Sequence, residues 1–328
     1  KIASFLDCLP EEIIFTGSAT ESNNLTIKGV ISALQRKKIK PCLITSQIEH
    51  HCVLDASKAI KEKGIETFFL PVEKNGFVKI SEFKKTLARH KNSPVLASII
   101  YANNEIGVIQ PIEKISRIIK SENKKRADSS QIYFHTDASQ AVNYLNCRVE
   151  KLGVDLMTIS GHKIYGPKGV AALYIKRGTP IEPIIHGGGH EFGLRSGTEN
   201  VASIVGFAKA IEEVIKRKKD IPKLKKLRDK LIDRVLKNIA GSQLNGSPIN
   251  RLPNNANFSF KGVEGEAMVI ALDQEGLAVS TGSACSSKSL EPSHVLLALG
   301  LSDEEAHGSL RVSLGRFTTE KDINYFLS

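Results

Sequence analysis

The feature that most limits how this chain can fold is a regular alternation of short apolar runs with helical patterns through its first two-thirds. "EEIIFTGS" precedes the helical pattern "ESNNLTIKGVISALQRKK", and "PCLITSQIEHH" precedes "VLDASKAIKEKG". "PVLASIIYANNEIG" leads into "PIEKISRIIKSEN", and "IYFHTDASQ" runs on towards a strand over 154–160. Strands and helices at this spacing predict an α/β fold, a mainly parallel sheet flanked by helices. In such sheets ligands sit beyond the carboxyl ends of the strands. Thr20, His50, Asn104, Asp137 and Lys163 collect at those predicted ends. A long helical stretch, roughly 199–240 and interrupted near Pro222, then leads into a different texture. "NNANFSFKG", "GEAMVIALDQEGLAVSTGSACSSKS" and "SLRVSLGRF" predict a smaller α+β domain. The expected division is a large domain over 1–215 and a small one over 216–328, in line with a length that suits about two domains.

Composition narrows the function classes. With 41% hydrophobic and 25% charged residues the chain resembles an ordinary globular protein. No apolar run approaches the roughly 18 residues a membrane helix needs, and no charged-then-apolar signal peptide opens the chain. It opens on Lys1 without Met, which predicts a cut or processed N-terminus. Five cysteines without a CxxC pair argue against a disulfide framework or a zinc ribbon and favour a reducing compartment. The net charge of +11 rests on the runs "QRKKIK", "KSENKKRAD" and "IKRKKDIPKLKKLRDK". The third falls on a helix with Leu224, Leu227, Leu231 and Val235 on one side, so its basic residues read as a solvated face. There is no Trp and no recognised nucleic-acid module, so no direct nucleic-acid partner is expected.

The polar residues at the strand ends suggest chemistry. "FTGSATES" is a strand followed by small residues that open a helix, a ready anion site in which Ser18 and Thr20 can assist. Ser18-x-x-Glu21 is equally a plain capping box. Asp137 follows the run "IYFH" and can hold a protonated ring nitrogen, as pyridoxal phosphate (PLP) requires. Lys163, in "ISGHKIYGPKG", ends the next predicted strand and can supply the amine for a Schiff base. Its plainer reading is a lysine carried on a hairpin turn. His50 is placed at the end of the strand "CLITSQ", where it can lie on a ring face or shuttle protons. "HHC" over 50–52 could hint at metal, but adjacent residues on a strand point to opposite faces. His186 and His190 flank glycines and do not form a helical metal motif.

At this point "DASQ…SGHKIYGPKG", "HGGGHEFGLRSGT", "STGSACSSKSLEPSHVLLALG" and "LRVSLGRFTTE" together resemble the cysteine desulfurases. They are most similar to the long-loop branch that serves iron–sulfur cluster assembly, within the PLP-dependent class-V aminotransferases. The resemblance runs nearly end to end, and the family pattern extends before Lys1 and slightly past the last residue. It implies the type I PLP-dependent transferase fold, with PLP as cofactor and Lys163 as its lysine. Ala19 and Thr20 match the phosphate-binding pair, aided by Ser160 and His162. Asp137 matches the partner of the pyridine nitrogen, Asn104 and Gln140 residues that contact the ring's phenolic oxygen, and His50 the stacked imidazole. Thr198 matches a residue that reaches the other subunit's cofactor, so the resemblance implies a homodimer. Arg311 matches the arginine that clamps the substrate carboxylate, and Cys285 the nucleophile that receives sulfur.

The residues around Cys285 agree with that role. "STGSACSSKS" is rich in Ser, Gly and Ala, whereas a packing cysteine would have apolar neighbours. A thiol of ordinary pKa needs a proton acceptor or a cation nearby to attack, and His50 is the candidate. The implied reaction takes L-cysteine to L-alanine: Lys163 removes the α-proton and the Cys285 thiolate takes the sulfur as a persulfide. Iron–sulfur scaffolds or other thiolation proteins are the implied acceptors. No resident metal is implied, although Cys285 could transiently ligate a cluster shared with a scaffold. Bacterial cytoplasm is the implied compartment, or an organelle matrix in a eukaryote. A selenocysteine lyase or related PLP enzyme, and a non-catalytic shortened subunit, are the alternatives.

Overall fold

The structure is a computed structural model that describes residues 1–36, 40–282 and 291–328. Packing divides the chain into two compact units. The first comprises Lys1–Pro71, Val78–Tyr101 and Gln110–Lys216, and the second Val72–Phe77, Ala102–Ile109 and Arg217–Ser328.

The first unit is built on a seven-stranded sheet in the order β1-β7-β6-β5-β4-β2-β3. The strands are β1 (Ile13–Thr16), β2 (Cys42–Ser46), β3 (Glu66–Leu70), β4 (Val95–Ser98), β5 (Ile132–Asp137), β6 (Leu156–Ser160) and β7 (Ala171–Ile175). The run from β3 through β2, β4 and β5 to β6 is parallel. β7 runs against β6, and β1 against β7, so β1 points the same way as the parallel strands. Thr16, Ser46, Ser98, Asp137 and Ser160 therefore end their strands along one edge. The mixed α/β architecture read from the alternating pattern is the one observed.

Continuous burial explains why these strands were visible as apolar runs. β2, β4, β6 and β7 are buried along their whole length, as expected where helices cover both faces of a sheet. Ile14, Leu43, Leu96, Leu156 and Leu173 pack with Leu25, Ile27, Val30, Leu34, Val53 and Ile60 from the helical segments. The helix that follows β1 runs from Ala19–Asn24 through a π-turn at Leu25–Gly29 into Val30–Gln35. At Gly29 the chain comes against the backbone of Glu182, whose N–H donates to the Gly29 carbonyl at 3.1 Å. β3 and the helix Ile80–Arg89 went unmarked in the sequence reading. Among the described residues β3 is an edge strand paired with β2, and it exposes Glu66 although Phe68, Phe69 and Leu70 make it as apolar as its neighbours.

The second unit carries a three-stranded antiparallel sheet, β10-β9-β8, from β8 (Ser242–Leu244), β9 (Asn255–Phe260) and β10 (Ser309–Ser313). Leu227, Leu231 and Val235 of the helix Ile221–Asn238 pack on Ala256, Phe258, Leu310 and Val312. Pro222 stands in the first turn of that helix, where a missing N–H costs nothing, and a 3-10 turn at Lys218–Asp220 separates it from Val201–Arg217. One residue of the basic run departs from the solvated-face reading. Arg228 is only 2% exposed, and its guanidinium donates to the carbonyls of Arg251 and Leu252 at 3.1 and 2.8 Å. Asp229 accepts from it as well.

Phe258 is fully buried at the centre of this second core. Phe258→Ala should destabilise the second unit by roughly 3–5 kcal/mol, read from urea unfolding of the full chain.

Candidate active site

The candidate site grows from the end of β5. Asp137 is 5% exposed, and both carboxylate oxygens are held. Oδ1 accepts the Ser139 backbone N–H at 2.9 Å, and Oδ2 accepts from Asn23 Nδ2 at 2.7 Å. Asn23 lies on the helix that follows β1, so one amide ties that helix to β5. The same Nδ2 donates to Cys52 Sγ at 3.1 Å. Gln140 lies half-buried on the turn just after Asp137.

His50 is not at a strand end as expected. β2 stops at Ser46, and His50 is the N-cap of the helix His51–Glu62. Its Nδ1 accepts the Cys52 backbone N–H at 3.2 Å and lies 3.0 Å from Cys52 Sγ. The strand argument against "HHC" therefore fails, because His50 and Cys52 meet across a helix start. Among the described residues, even so, no group of three or more His, Cys, Asp or Glu could hold a metal ion. Burial, reinforced by Asp137, pushes the Cys52 thiol up to about 12, although Asn23 and Thr20 hydrogen bonds oppose the shift.

Beside His50, Glu49 is fully buried. Its Oε1 accepts from Ser46 Oγ at 2.5 Å and from the Ile100 N–H at 2.9 Å, which links the ends of β2 and β4. Burial pushes this carboxyl up to about 8, with Asp137 adding to the shift, so it is protonated at neutral pH. Asn23, Cys52 and Glu49 were absent from the expected site residues. Cys52 was weighed only within "HHC" as a metal hint, and nothing local in the sequence marks Asn23 or Glu49, whose partners Asp137 and Ile100 come from other elements.

Lys163 lies on the turn that joins β6 to β7, an antiparallel pair, so the hairpin reading of its surroundings is the geometry observed. It sits on the 3-10 turn His162–Ile164, and both His162 and Lys163 are exposed. Ser160 Oγ and His162 Nδ1 are 3.0 Å apart. Burial, with Lys163 and Lys168 close by, lowers the His162 pKa. Tyr165 follows in the left-handed region at φ 65°, a backbone state rare for a bulky side chain and frequent at functional turns. Gly166 allows the turn to close: a side chain there would meet the Gly161 carbonyl oxygen at 2.9 Å.

Ser18 caps the helix as the capping-box reading expects, but Glu21 reaches back to the Gly17 N–H and not to that of Ser18, so only half of the box forms. Ser18 Oγ accepts the Glu21 N–H at 3.1 Å and caps the helix, leaving Ala19 and Thr20 as its first residues. Glu21 Oε2 accepts the Gly17 N–H at 2.9 Å, and Oε1 takes Arg195 Nε at 2.7 Å. That ion pair ties the stretch before Thr198 to the helix, while Thr198 itself is exposed. Asn104 and Arg311 belong to the second unit. Arg311, on β10, donates from Nη1 to the Asn104 carbonyl at 3.3 Å, and its backbone pairs with Ser280. Cys285 lies outside the described residues.

A mainly parallel sheet thus carries its acid, amine-bearing turn and helix start along the strand-end edge where ligands of such α/β folds bind. Residues 1–326 match the family described as class-V aminotransferases. Cysteine desulfurase IscS of Dictyoglomus turgidum is 51% identical over the whole chain, which covers 80% of that protein. Cysteine desulfurase IscS of Clostridium botulinum strain Hall is 45% identical, with the same shares of 100% and 80%. A solved NifS-like protein superposes with a TM-score of 0.88 at 37% identity, over 99% of this chain and 83% of that one. The chain belongs to the class-V aminotransferase family, in its cysteine desulfurase branch.

The buried Glu49 makes stability pH-dependent in a definite direction. Folded Glu49 keeps its proton up to about 8, while the unfolded carboxyl ionises near its ordinary value of 4.5. Its stabilising contribution is thus present in acid and lost as pH rises through that window. Glu49→Gln carries no such proton. From pH 5 to pH 8 its unfolding free energy should improve relative to the parent by roughly 2–4 kcal/mol in urea titrations. A pH-independent difference would contradict the buried neutral acid.

Proposed function

We infer that this chain is a PLP-dependent cysteine desulfurase that releases L-alanine from L-cysteine and passes the sulfur onward for iron–sulfur cluster assembly. The observation that carries this reading is the pairing of a buried, doubly held Asp137 on β5 with Lys163 at the turn after the adjacent β6. Family membership supports it.

The residues present suit PLP. A protonated ring nitrogen asks for a buried carboxylate with little freedom, and Asp137 is such a group. A phosphate asks for free N–H groups and hydroxyls at a helix start, where Ala19, Thr20 and Ser160 with His162 are the proposed holders. His50 is the proposed ring neighbour, Asn104 and Gln140 the partners of the phenolic oxygen, and Thr198 the residue that acts across a homodimer. When bound, PLP supplies the electron sink that lets bonds at the amino acid's α-carbon break.

The chain's own groups then have distinct tasks. Lys163 Nζ holds the cofactor and takes the α-proton. Arg311 offers a planar fork to the substrate carboxylate. Cys285 Sγ takes the substrate sulfur as a persulfide, and the remaining carbon skeleton leaves as alanine once protonated. Scaffold proteins of cluster assembly are the proposed acceptors. No described helix is long and apolar enough to cross a membrane. We place the protein in the bacterial cytoplasm or, in a eukaryote, in an organelle matrix.

Two substitutions test the two halves. Lys163→Ala should abolish covalent retention of PLP: borohydride treatment followed by peptide mapping should mark Lys163 in the parent and no peptide in the variant. A mark on Lys168 in the parent would sink the assignment. Cys285→Ser should keep PLP and the change in its visible band on adding L-cysteine, yet lose alanine formation and persulfide labelling to background, because a hydroxyl is a far weaker nucleophile towards sulfur. Undiminished alanine formation, or a persulfide on Cys52, would exclude Cys285 as the acceptor.

A further inference from the structure

Glu105 is a buried acid to which the proposed reaction gives no task. It is 2% exposed, and a carboxyl so placed needs donors. One is Ser293 Oγ, which donates to Oε2 at 2.5 Å while accepting the Leu296 N–H at 3.3 Å as the cap of the helix His294–Ala298. The same carboxyl faces Gly282. A side chain there would bring its Cβ to 3.2 Å from Oε2 and 3.5 Å from the Ser293 Cβ, so the glycine leaves room for both. In the sequence Gly282 and Ser293 stand on either side of Cys285. One buried side chain therefore meets the chain just before and just after the stretch that carries the proposed nucleophile.

Glu105 is itself firmly held. Asn103 Oδ1 accepts the backbone N–H groups of Glu105 and Ile106 at 2.9 Å, and Asn255 donates to the Glu105 carbonyl at 3.0 Å. The next carbonyl, that of Ile106, accepts from buried Arg251 at 2.9 Å. On the other side, the Asn104 carbonyl accepts from Arg311, whose backbone exchanges bonds of 2.6 and 3.2 Å with Ser280. The proposed substrate arginine, the acid and the two flanks of Cys285 thus share one framework within the second unit. Cys285 stands three residues beyond Gly282 in the sequence, and three residues of chain span at most about 11 Å. Where Gly282 is held limits where the thiol can act.

We propose that Glu105 is a positioning residue for sulfur transfer: by holding Gly282 and Ser293 together, it sets the place from which the Cys285 thiol meets a substrate held at Arg311. The proposal rests on the desulfurase reading and deepens it. Glu105 acts here through the chain and not on the reacting atoms. Retention of PLP and binding of L-cysteine therefore do not depend on its carboxyl, whereas transfer of sulfur does.

The test compares the full chain with Glu105→Ala, Glu105→Gln, Gly282→Ala and the double variant Gly282→Ala/Glu105→Ala. Hydrogen exchange read by mass spectrometry follows residues 280–282 and 293–297. Both stretches should exchange roughly tenfold or more faster in Glu105→Ala, with the rest of the second unit as in the parent. Unchanged rates, or a change at one flank alone, would overturn the proposal. Should Glu105→Ala fail to fold, Ser293→Ala removes the donor instead, and exchange at 280–282 decides.

Alanine formation at saturating L-cysteine is the second readout. It should fall roughly tenfold or more in Glu105→Ala and in Gly282→Ala, while the L-cysteine concentration that half-completes the change in the visible band stays within about threefold. Glu105→Gln keeps an oxygen for Ser293 and should recover most of the loss. Gly282→Ala should cost nothing further in the Glu105→Ala background, because the oxygen it crowds is gone. Loss of L-cysteine binding in step with alanine formation, or additive losses in the double variant, would leave Glu105 as support for the fold alone. Failure of the parent to make alanine would instead reject the desulfurase reading, and exchange would still decide whether the two flanks are joined.

Discussion

The candidate site is arranged around the 2.7 Å hydrogen bond from Asn23 to Asp137. A carboxylate this deeply buried is costly unless donors surround it. The Asn23 amide and the Ser139 N–H provide them, one to each oxygen. Because Asn23 comes from the helix after β1, the bond also sets that helix against β5, and through Cys52 it reaches His50. A second acid, Glu49, is buried nearby, and two ionised carboxylates in so dry a place would repel. Burial and the field of Asp137 leave Glu49 as the neutral one, and its Oε1, accepting from Ser46 and from the Ile100 N–H, links the ends of β2 and β4.

The same economy runs through the sheet beneath. His135, two residues before Asp137 on β5, is fully buried. It lies between Ser98 of β4 at 2.8 Å and Thr158 of β6 at 3.1 Å, and burial lowers its pKa to about 4. A neutral imidazole with a hydroxyl on each side can satisfy both ring nitrogens without charge. Thr136 adds a bond to the Ile99 carbonyl at 2.7 Å. These cross-strand links fix the relative heights of β4, β5 and β6, and so the places at which their polar ends emerge.

The second unit solves a different problem with buried cations. Arg251 is 3% exposed, and it donates to the carbonyls of Asn255 at 3.2 Å and Ile106 at 2.9 Å. Burial and the neighbouring Arg228 lower its pKa to about 9. Asn255 returns a bond to the Glu105 carbonyl at 3.0 Å, and Ser293 donates to the Glu105 carboxylate at 2.5 Å. The segment 102–109, and Asn104 with it, is therefore positioned by residues from the far end of the chain. That is why Asn104 keeps company with Arg311 rather than with the strand that precedes it.

The sequence by itself determined the alternation of strands and helices, the near-continuous apolar runs of β2, β4 and β6, the interruption of the long helical stretch near Pro222 and the strand-end positions of Asp137 and Ser160. Those properties depend on neighbours along the chain: a strand buried on both faces must be apolar along its length, and it ends where polar residues begin. Only the tertiary structure decided that His50 caps a helix, that Arg228 turns inward to meet two carbonyls, and that Glu49 stays protonated. It alone joined Asn23 to Asp137 across 114 positions and Asn104 to Arg311 across 207. A side chain's hydrogen-bond partner and the dielectric around it are set by whichever segments the chain later brings back, and no local pattern of residues records that return.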